Sequence, residues 1–194
     1  GLEALAPVSH LVRNSAISMR PEANISPFIK VAGTAMMLRR ASYLSTAEVI
    51  AGKWPRNRLS AGRESAGAVM GLIGFGSIGQ LTARLARSLG MSVIAYDPAL
   101  PATHSAWQEI GVQPKSLEQI TAEADVISLH VPLLDATRNL FDATRIAAMK
   151  PGAVLINTSR GGIVNEAAVV AALKSGALGG AALDVFTQEP LPAT

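Results

Sequence analysis

The stretch VMGLIGFGSIGQ, residues 69–80, narrows most sharply what this chain can become. Five residues with the apolar run of a strand buried on both faces pass into Gly74, Gly76 and Gly79, spaced G-x-G-x-x-G. A helical pattern with Arg84 and Arg87 toward its end follows. A second apolar run, SVIAYDP, then closes on Asp97, eighteen residues past Gly79. Glycine triplets alone recur in many folds, but strand, glycine turn, helix, strand and acid in this order are specific. Gly74 permits the tight turn, Gly76 lets the backbone approach a pyrophosphate, and Gly79 lets helix and strand close up. Free N–H groups around Ser77 and Ile78, at the positive end of the helix dipole, face the phosphates. Asp97 would accept hydrogen bonds from a ribose diol and repel a 2′-phosphate, which favours NAD over NADP. The expectation is a dinucleotide site.

The remainder of the chain repeats the alternation. Residues 69–73, 92–96, 126–131, 153–157 and 180–185 read as strands, and 77–89, 116–122, 142–148 and 165–175 as helices. Continuous apolar strands separated by helices indicate a parallel sheet covered on both faces, an α/β doubly wound fold of Rossmann type. Upstream, Ser26 and Pro27 open a helix in which Phe28, Val31, Ala32, Ala35 and Leu38 recur at three- and four-residue spacing. Ile29, Met36 and Met37 broaden its apolar face, so the helix is expected to be packed on two sides, between domains or between subunits. The segment 51–67, rich in glycine, serine and arginine, reads as a loop and a domain boundary. Within residues 1–24, LVRNSAISM alternates weakly and is a candidate strand. The expected organisation is therefore residues 1–25 as linker or remnant of a second domain, 26–66 as helix and loop, and 67–194 as the nucleotide domain.

Composition excludes several alternatives. The chain has 194 residues and no cysteine, which rules out disulfides, thiolate metal sites and a cysteine nucleophile. It also fits a reducing compartment, and cytoplasmic is the default reading. The net charge of +3 is small, and the basic stretch around Arg39, Arg40, Lys53, Arg56, Arg58 and Arg63 lacks interleaved aromatics apart from Trp54. It reads as a solvated loop first and an anion patch second, so no nucleic-acid partner is expected. No run reaches about eighteen uncharged apolar residues, so no membrane partner is expected either.

Further strand ends carry polar residues: His130 and Pro132 in SLHVPLL, Arg160 in NTSRGG, and Asp184 and Glu189 in ALDVFTQEP. In a doubly wound sheet ligands sit beyond the C-terminal strand ends, so these tips converge on the cofactor. An arginine there can clamp a carboxylate bidentately and polarise the neighbouring carbonyl. Read alone, Asp184 is as well explained by a turn cap, Glu189 by a solvated loop, and His130 by a packed strand end. His104 reads as exposed, and Asn157 as satisfying backbone groups.

Taken in order, GLIGFGSIGQ, VIAYDP, DVISLHVPL, TRNLF, MKPGAVLINTSRGGIVNE and GAALDVFTQEP resemble the signature blocks of the D-isomer-specific 2-hydroxyacid dehydrogenases. The resemblance covers about residues 67–192, and the helix after Ser26 is similar to that family's interdomain helix. It implies that Arg160 is the substrate-binding catalytic arginine and that Glu189 holds and raises the pKa of the catalytic histidine. It further implies that Asp184 bonds the nicotinamide carboxamide, and that Thr158, Ser159 and the turn His130, Val131, Pro132 line NAD. Ser77, Ile78 and Asp97 keep the roles derived above. The family's acid–base histidine lies on a segment after the Glu189 block. The resemblance therefore implies a cofactor-binding fragment of a homodimeric enzyme acting on a small 2-hydroxy or 2-oxo acid. The alternative expectation is a catalytically incomplete, NAD-binding interaction or dimerisation module.

Overall fold

The computed structural model describes residues 26–40, 45–60 and 62–190. Three helices come first: α1 (Ser26–Arg40), α2 (Thr46–Ile50) and α3 (Arg56–Ser60). There follow β1 (Val69–Ile73), α4 (Ser77–Ser88), β2 (Ser92–Tyr96), α5 (Ser105–Ile110), β3 (Gln113–Pro114), α6 (Leu117–Glu123) and β4 (Val126–Leu129). The chain continues through α7 (Ala143–Ala147), β5 (Ala153–Asn157), α8 (Glu166–Ser175) and β6 (Leu178–Leu183). All six strands are parallel, in the order β3-β2-β1-β4-β5-β6. The order reverses between β1 and β4, and a crevice at that switch point is where such sheets bind ligands.

Alternation along the strands feeds two separate cores. Met70, Leu72, Val93, Ala95, Val154 and Ile156 face one side, with α1, α4 and α5 over them. Ile73, Ile94, Ile127, Leu129 and Leu155 face the other, under α6, α7 and α8. Burial on both faces explains why the strands read as unbroken apolar runs rather than as alternating ones.

The sheet has one strand more than the five expected. β3 is two residues long and contains proline, which places it at an edge, where one missing donor is tolerated. Helix α5 was hidden for a related reason, being six residues long with only Ala106, Trp107 and Ile110 turned inward. Its anchor is tertiary: the Trp107 ring stacks on Phe75 with centroids 4.5 Å apart. β4 stops at Leu129, two residues early, because Pro132 cannot donate to a ladder. β6 is displaced toward the N-terminus of the expected span, with a register shift opposite Ala153 and Val154. The segment 51–67 is not wholly loop, since it contains α3. The candidate strand LVRNSAISM and the proposed remnant at residues 1–25 lie outside the described residues.

Helix α1, expected to pack on two sides between domains or subunits, is covered on one of them by the described chain. Phe28, Val31, Ala32, Ala35 and Leu38 are buried, but Ile29 is 54% exposed and Met36 37%. One face is covered by the chain and the other is not. The helix runs antiparallel to the strands: Lys30 reaches Asp184 past the end of β6, while Arg39 reaches Asp125 just ahead of β4.

Candidate cofactor and substrate site

The glycine turn is built by three different constraints. Gly74 has φ +96°, and a Cβ there would lie 2.5 Å from the His130 carbonyl oxygen. Gly79 presses on the turn itself, since its Cβ would lie 2.4 Å from the Gly74 carbonyl oxygen. Gly76 is the opposite case: a Cβ would meet nothing within 4 Å. It is also the N-cap of α4 and supplies no side-chain cap, so the first N–H groups of a twelve-residue helix, from Ser77 and Ile78 onward, lack a side-chain acceptor. Open space in front of an uncapped helix start is an anion cradle.

Asp97 stands at the tip of β2, beside the glycine turn. Its Oδ2 accepts from Phe75 N–H at 2.8 Å and its Oδ1 from Ala99 N–H at 2.9 Å. The carboxylate thus ties β2 to the glycine turn and keeps lone pairs for a diol, a carboxylate having about four acceptor positions. The crevice therefore fits a dinucleotide: an anion cradle, an acid one strand over, and a floor of small residues.

On the other side of the switch point the tips of β4, β5 and β6 are stitched together. Asn157 is buried and braces the arginine turn, its Nδ2 donating to the Arg160 carbonyl at 2.9 Å and its Oδ1 accepting from Ser159 N–H at 3.1 Å. Ser159 Oγ donates to the Leu129 carbonyl, joining β5 to β4. Thr137 Oγ1 donates to the Pro132 carbonyl at 2.6 Å and accepts from Leu134 N–H, and Asn139 N–H reaches the Gly162 carbonyl at 2.8 Å. Glu166, at the start of α8, accepts from both the N–H and the hydroxyl of Thr187, and Glu189 Oε1 accepts from Phe186 N–H at 2.8 Å.

These bonds frame an open cavity of about 540 Å³ lined by Arg138, Ser159, Arg160, Phe186, Thr187 and Glu189, among others. Arg160 is exposed and its guanidinium also donates to the Ser159 carbonyl. Arg160 and Glu189, nearly thirty residues apart in sequence, thus line one cavity. Thr158 is half-buried in the same turn. Asp184 follows β6, its N–H bonded to the Asn157 carbonyl at 3.0 Å and its carboxylate paired with Lys30. His130 meets the glycine turn through its backbone and Val131 through its side chain, and Pro132 follows them with its carbonyl bonded to Thr137. The His130 Nε2 is sealed off, with no partner among the described residues, and burial pushes its pKa down to about 4.

Sequence reasoning passed over Lys30, Arg138 and Glu166. Nothing in the local pattern of Lys30 or Arg138 marks either. Glu166 offered one signal, an acid in the first turn after the Asn165 cap, but its partner Thr187 is twenty-one residues away.

A family model described as the D-isomer specific 2-hydroxyacid dehydrogenase, NAD binding domain, matches residues 32–194. The chain belongs to that family. Among curated relatives, (S)-sulfolactate dehydrogenase of Chromohalobacter salexigens is 53% identical over 157 residues, covering 81% of this chain and 50% of the relative. Hydroxypyruvate reductase of Thermotoga maritima is 41% identical over 167 residues, covering 85% and 53%. The chain thus spans about half the length of these two relatives. Among solved structures, the NAD-complexed D-isomer specific 2-hydroxyacid dehydrogenase from Lactobacillus delbrueckii ssp. bulgaricus superposes with TM-score 0.74 at 32% identity, over 84% of this chain and 48% of that one. NAD is accordingly the cofactor of this 2-hydroxyacid dehydrogenase domain. No helix among the described residues is long and apolar enough to cross a membrane.

Proposed function

We propose that this domain works in an NAD-dependent oxidoreductase that moves hydride between the nicotinamide and C2 of a small D-2-hydroxy or 2-oxo acid. Bound NAD supplies the hydride exchange, and the residues of the chain hold and polarise the acid. The observation that carries the reading is the meeting of Arg160 and Glu189 in one cavity at the C-terminal edge of the sheet. Arg160 binds the carboxylate and, through the same fork of N–H donors, draws charge onto the carbonyl oxygen as it forms or disappears. Glu189, held toward the cavity by Phe186 N–H, is the carboxylate against which a protonated histidine is stabilised. Asp184 accepts from the nicotinamide carboxamide, while Thr158, Ser159 and the backbone of His130–Pro132 border the ring.

Arg138 gives the cavity a second guanidinium, in loose contact with Asp135 at 4.0 Å. The relative named for sulfolactate handles an acid with two anionic groups, and such a substrate would satisfy both arginines here. The test is loss of reduced-nicotinamide absorbance with 3-sulfopyruvate, hydroxypyruvate and pyruvate. Arg160→Met should cut kcat/KM about 100-fold on every acid turned over, in line with losing a charge-stabilising donor. Arg138→Met should lower the sulfopyruvate-to-pyruvate ratio about tenfold, a few tenths of a nanometre of lost charge contact being worth that much.

A second reading is favoured by the exposed apolar residues of the N-terminal segment, Ile29 and Met36 on α1 and Val49, Ile50 and Trp54 after it. An apolar surface of this kind suits a second copy of the chain, in a homodimer or in a cofactor-dependent association module. Saturable NADH binding without reduction of any 2-oxo acid, together with NADH-dependent association in sedimentation, would favour the module over the enzyme.

A further inference from the structure

Lys30 stands one turn into α1, and its Nζ donates to Asp184 Oδ2 at 2.7 Å across 154 residues of sequence. The two side chains are 20% and 22% exposed, so the pair is largely screened from water. The pair is one fastening of this end of the helix, beside the buried Phe28, Val31 and Ala32. The other consequence is electrostatic. Asp184 Oδ1 carries no hydrogen bond among the described residues, so the carboxylate can still accept from an amide N–H, yet its charge is cancelled by the ammonium. The nicotinamide ring is positively charged when oxidised and neutral when reduced. An unpaired carboxylate beside it would favour the oxidised form, and a carboxylate paired with an ammonium would not.

We propose that Lys30 is a positioning residue that orients Asp184 and sets the balance between the two redox forms of the cofactor, weighting the site toward NADH relative to what Asp184 alone would give. The proposal rests on the reading of Asp184 as the acceptor for the nicotinamide carboxamide.

The experiment titrates NAD+ and NADH separately onto the protein and takes the ratio of their Kd values. Lys30→Met should lower Kd(NAD+)/Kd(NADH) about tenfold, an effect expected of one unit charge a few ångströms away in a partly screened site. Asp184→Asn should move the ratio the opposite way by a similar factor, since it leaves the ammonium unbalanced. The double variant should return to within about twofold of the unaltered protein, and Lys30→Arg should stay there throughout. A merely structural lysine would weaken both forms equally and leave the ratio fixed, and that result overturns the proposal. Should Lys30→Met fail to fold, Lys30→Gln takes its place, and a Kd ratio unchanged from the unaltered protein overturns the proposal. Failure of the unaltered protein to bind either form would instead sink the underlying placement of NAD, a result distinguishable from equal weakening of both.

Discussion

At Gly161 a side chain has no room: a Cβ there would sit 1.9 Å from the Phe186 carbonyl oxygen. The arginine turn and the loop carrying Glu189 are therefore in backbone contact, and Gly161→Ala must push one away from the other. The expected cost is about 1–3 kcal/mol of stability, read in a denaturant melt, with a further loss of NADH affinity because Arg160 moves with the turn. Asp97→Asn should weaken NAD while narrowing its advantage over NADP, since the charge that repels a 2′-phosphate is gone; paired titrations of the two cofactors check this. His130 makes a pH prediction. Its folded pKa is lowered to about 4, below the ordinary value of 6.5, so between those pH values the unfolded chain holds a proton that the folded one lacks. Stability should thus fall as pH drops from 6.5 to 4, by roughly 3 kcal/mol in all, and His130→Gln should flatten that slope. The glycines, Asp97 and Arg160 were legible as residues because each follows an apolar run at fixed spacing. Lys30 and Glu166 were not, because each acts on a partner that only the fold brings near.

Helix α1 is the element whose attachment matters most for the site, since it brings Lys30 to the edge where Asp184 lies. Near its C-terminal end it is held by packing: Leu38 lies against Gly180 of β6, where an added Cβ would be 3.3 Å from the leucine side chain. Leu38→Ala should cost about 2–4 kcal/mol, measured by thermal or denaturant unfolding. The same end is held by charge as well. Asp125 accepts from Lys150 at 2.8 Å and from Val69 N–H at 2.9 Å, with Arg39 at 3.8 Å. Burial pushes the Asp125 pKa up, but the Lys150 and Val69 hydrogen bonds and the two cations outweigh it and hold the carboxyl below its usual range. A depressed carboxyl stabilises the fold above its unfolded pKa of about 4 and stops doing so as pH falls through the folded value. Asp125→Asn should therefore be destabilising at neutral pH and progressively less so below about pH 4. The existence of α1 was plain from its apolar spacing. Which of its apolar residues this chain itself covers was not, because hydrophobic spacing alone does not distinguish a buried residue such as Val31 from an exposed one such as Ile29.

Over the whole molecule, most of the sheet was readable because strands buried on both faces leave continuous apolar runs, as in Val126–Leu129 and Ala153–Asn157. β3 and α5 escaped because their stability lies in a partner: β2 for the one, and the Phe75 ring under Trp107 for the other. The site shows the same division. Its glycine half is local and carries a recognisable spacing, whereas its arginine half is assembled from three strand tips joined by Asn157, Ser159, Asn139 and Glu166. The central claim is that these halves form one continuous cleft, with NAD lying from the glycine turn to Arg160. Backbone amide chemical shifts, followed while NADH is added to the isotope-labelled protein, test it most directly. The account predicts saturable shifts at Gly76–Ile78, around Asp97, along His130–Pro132, at Thr158–Gly162 and at Asp184. Shifts confined to the glycine turn, or none at Ser159–Gly162 and Asp184 at saturation, would contradict it.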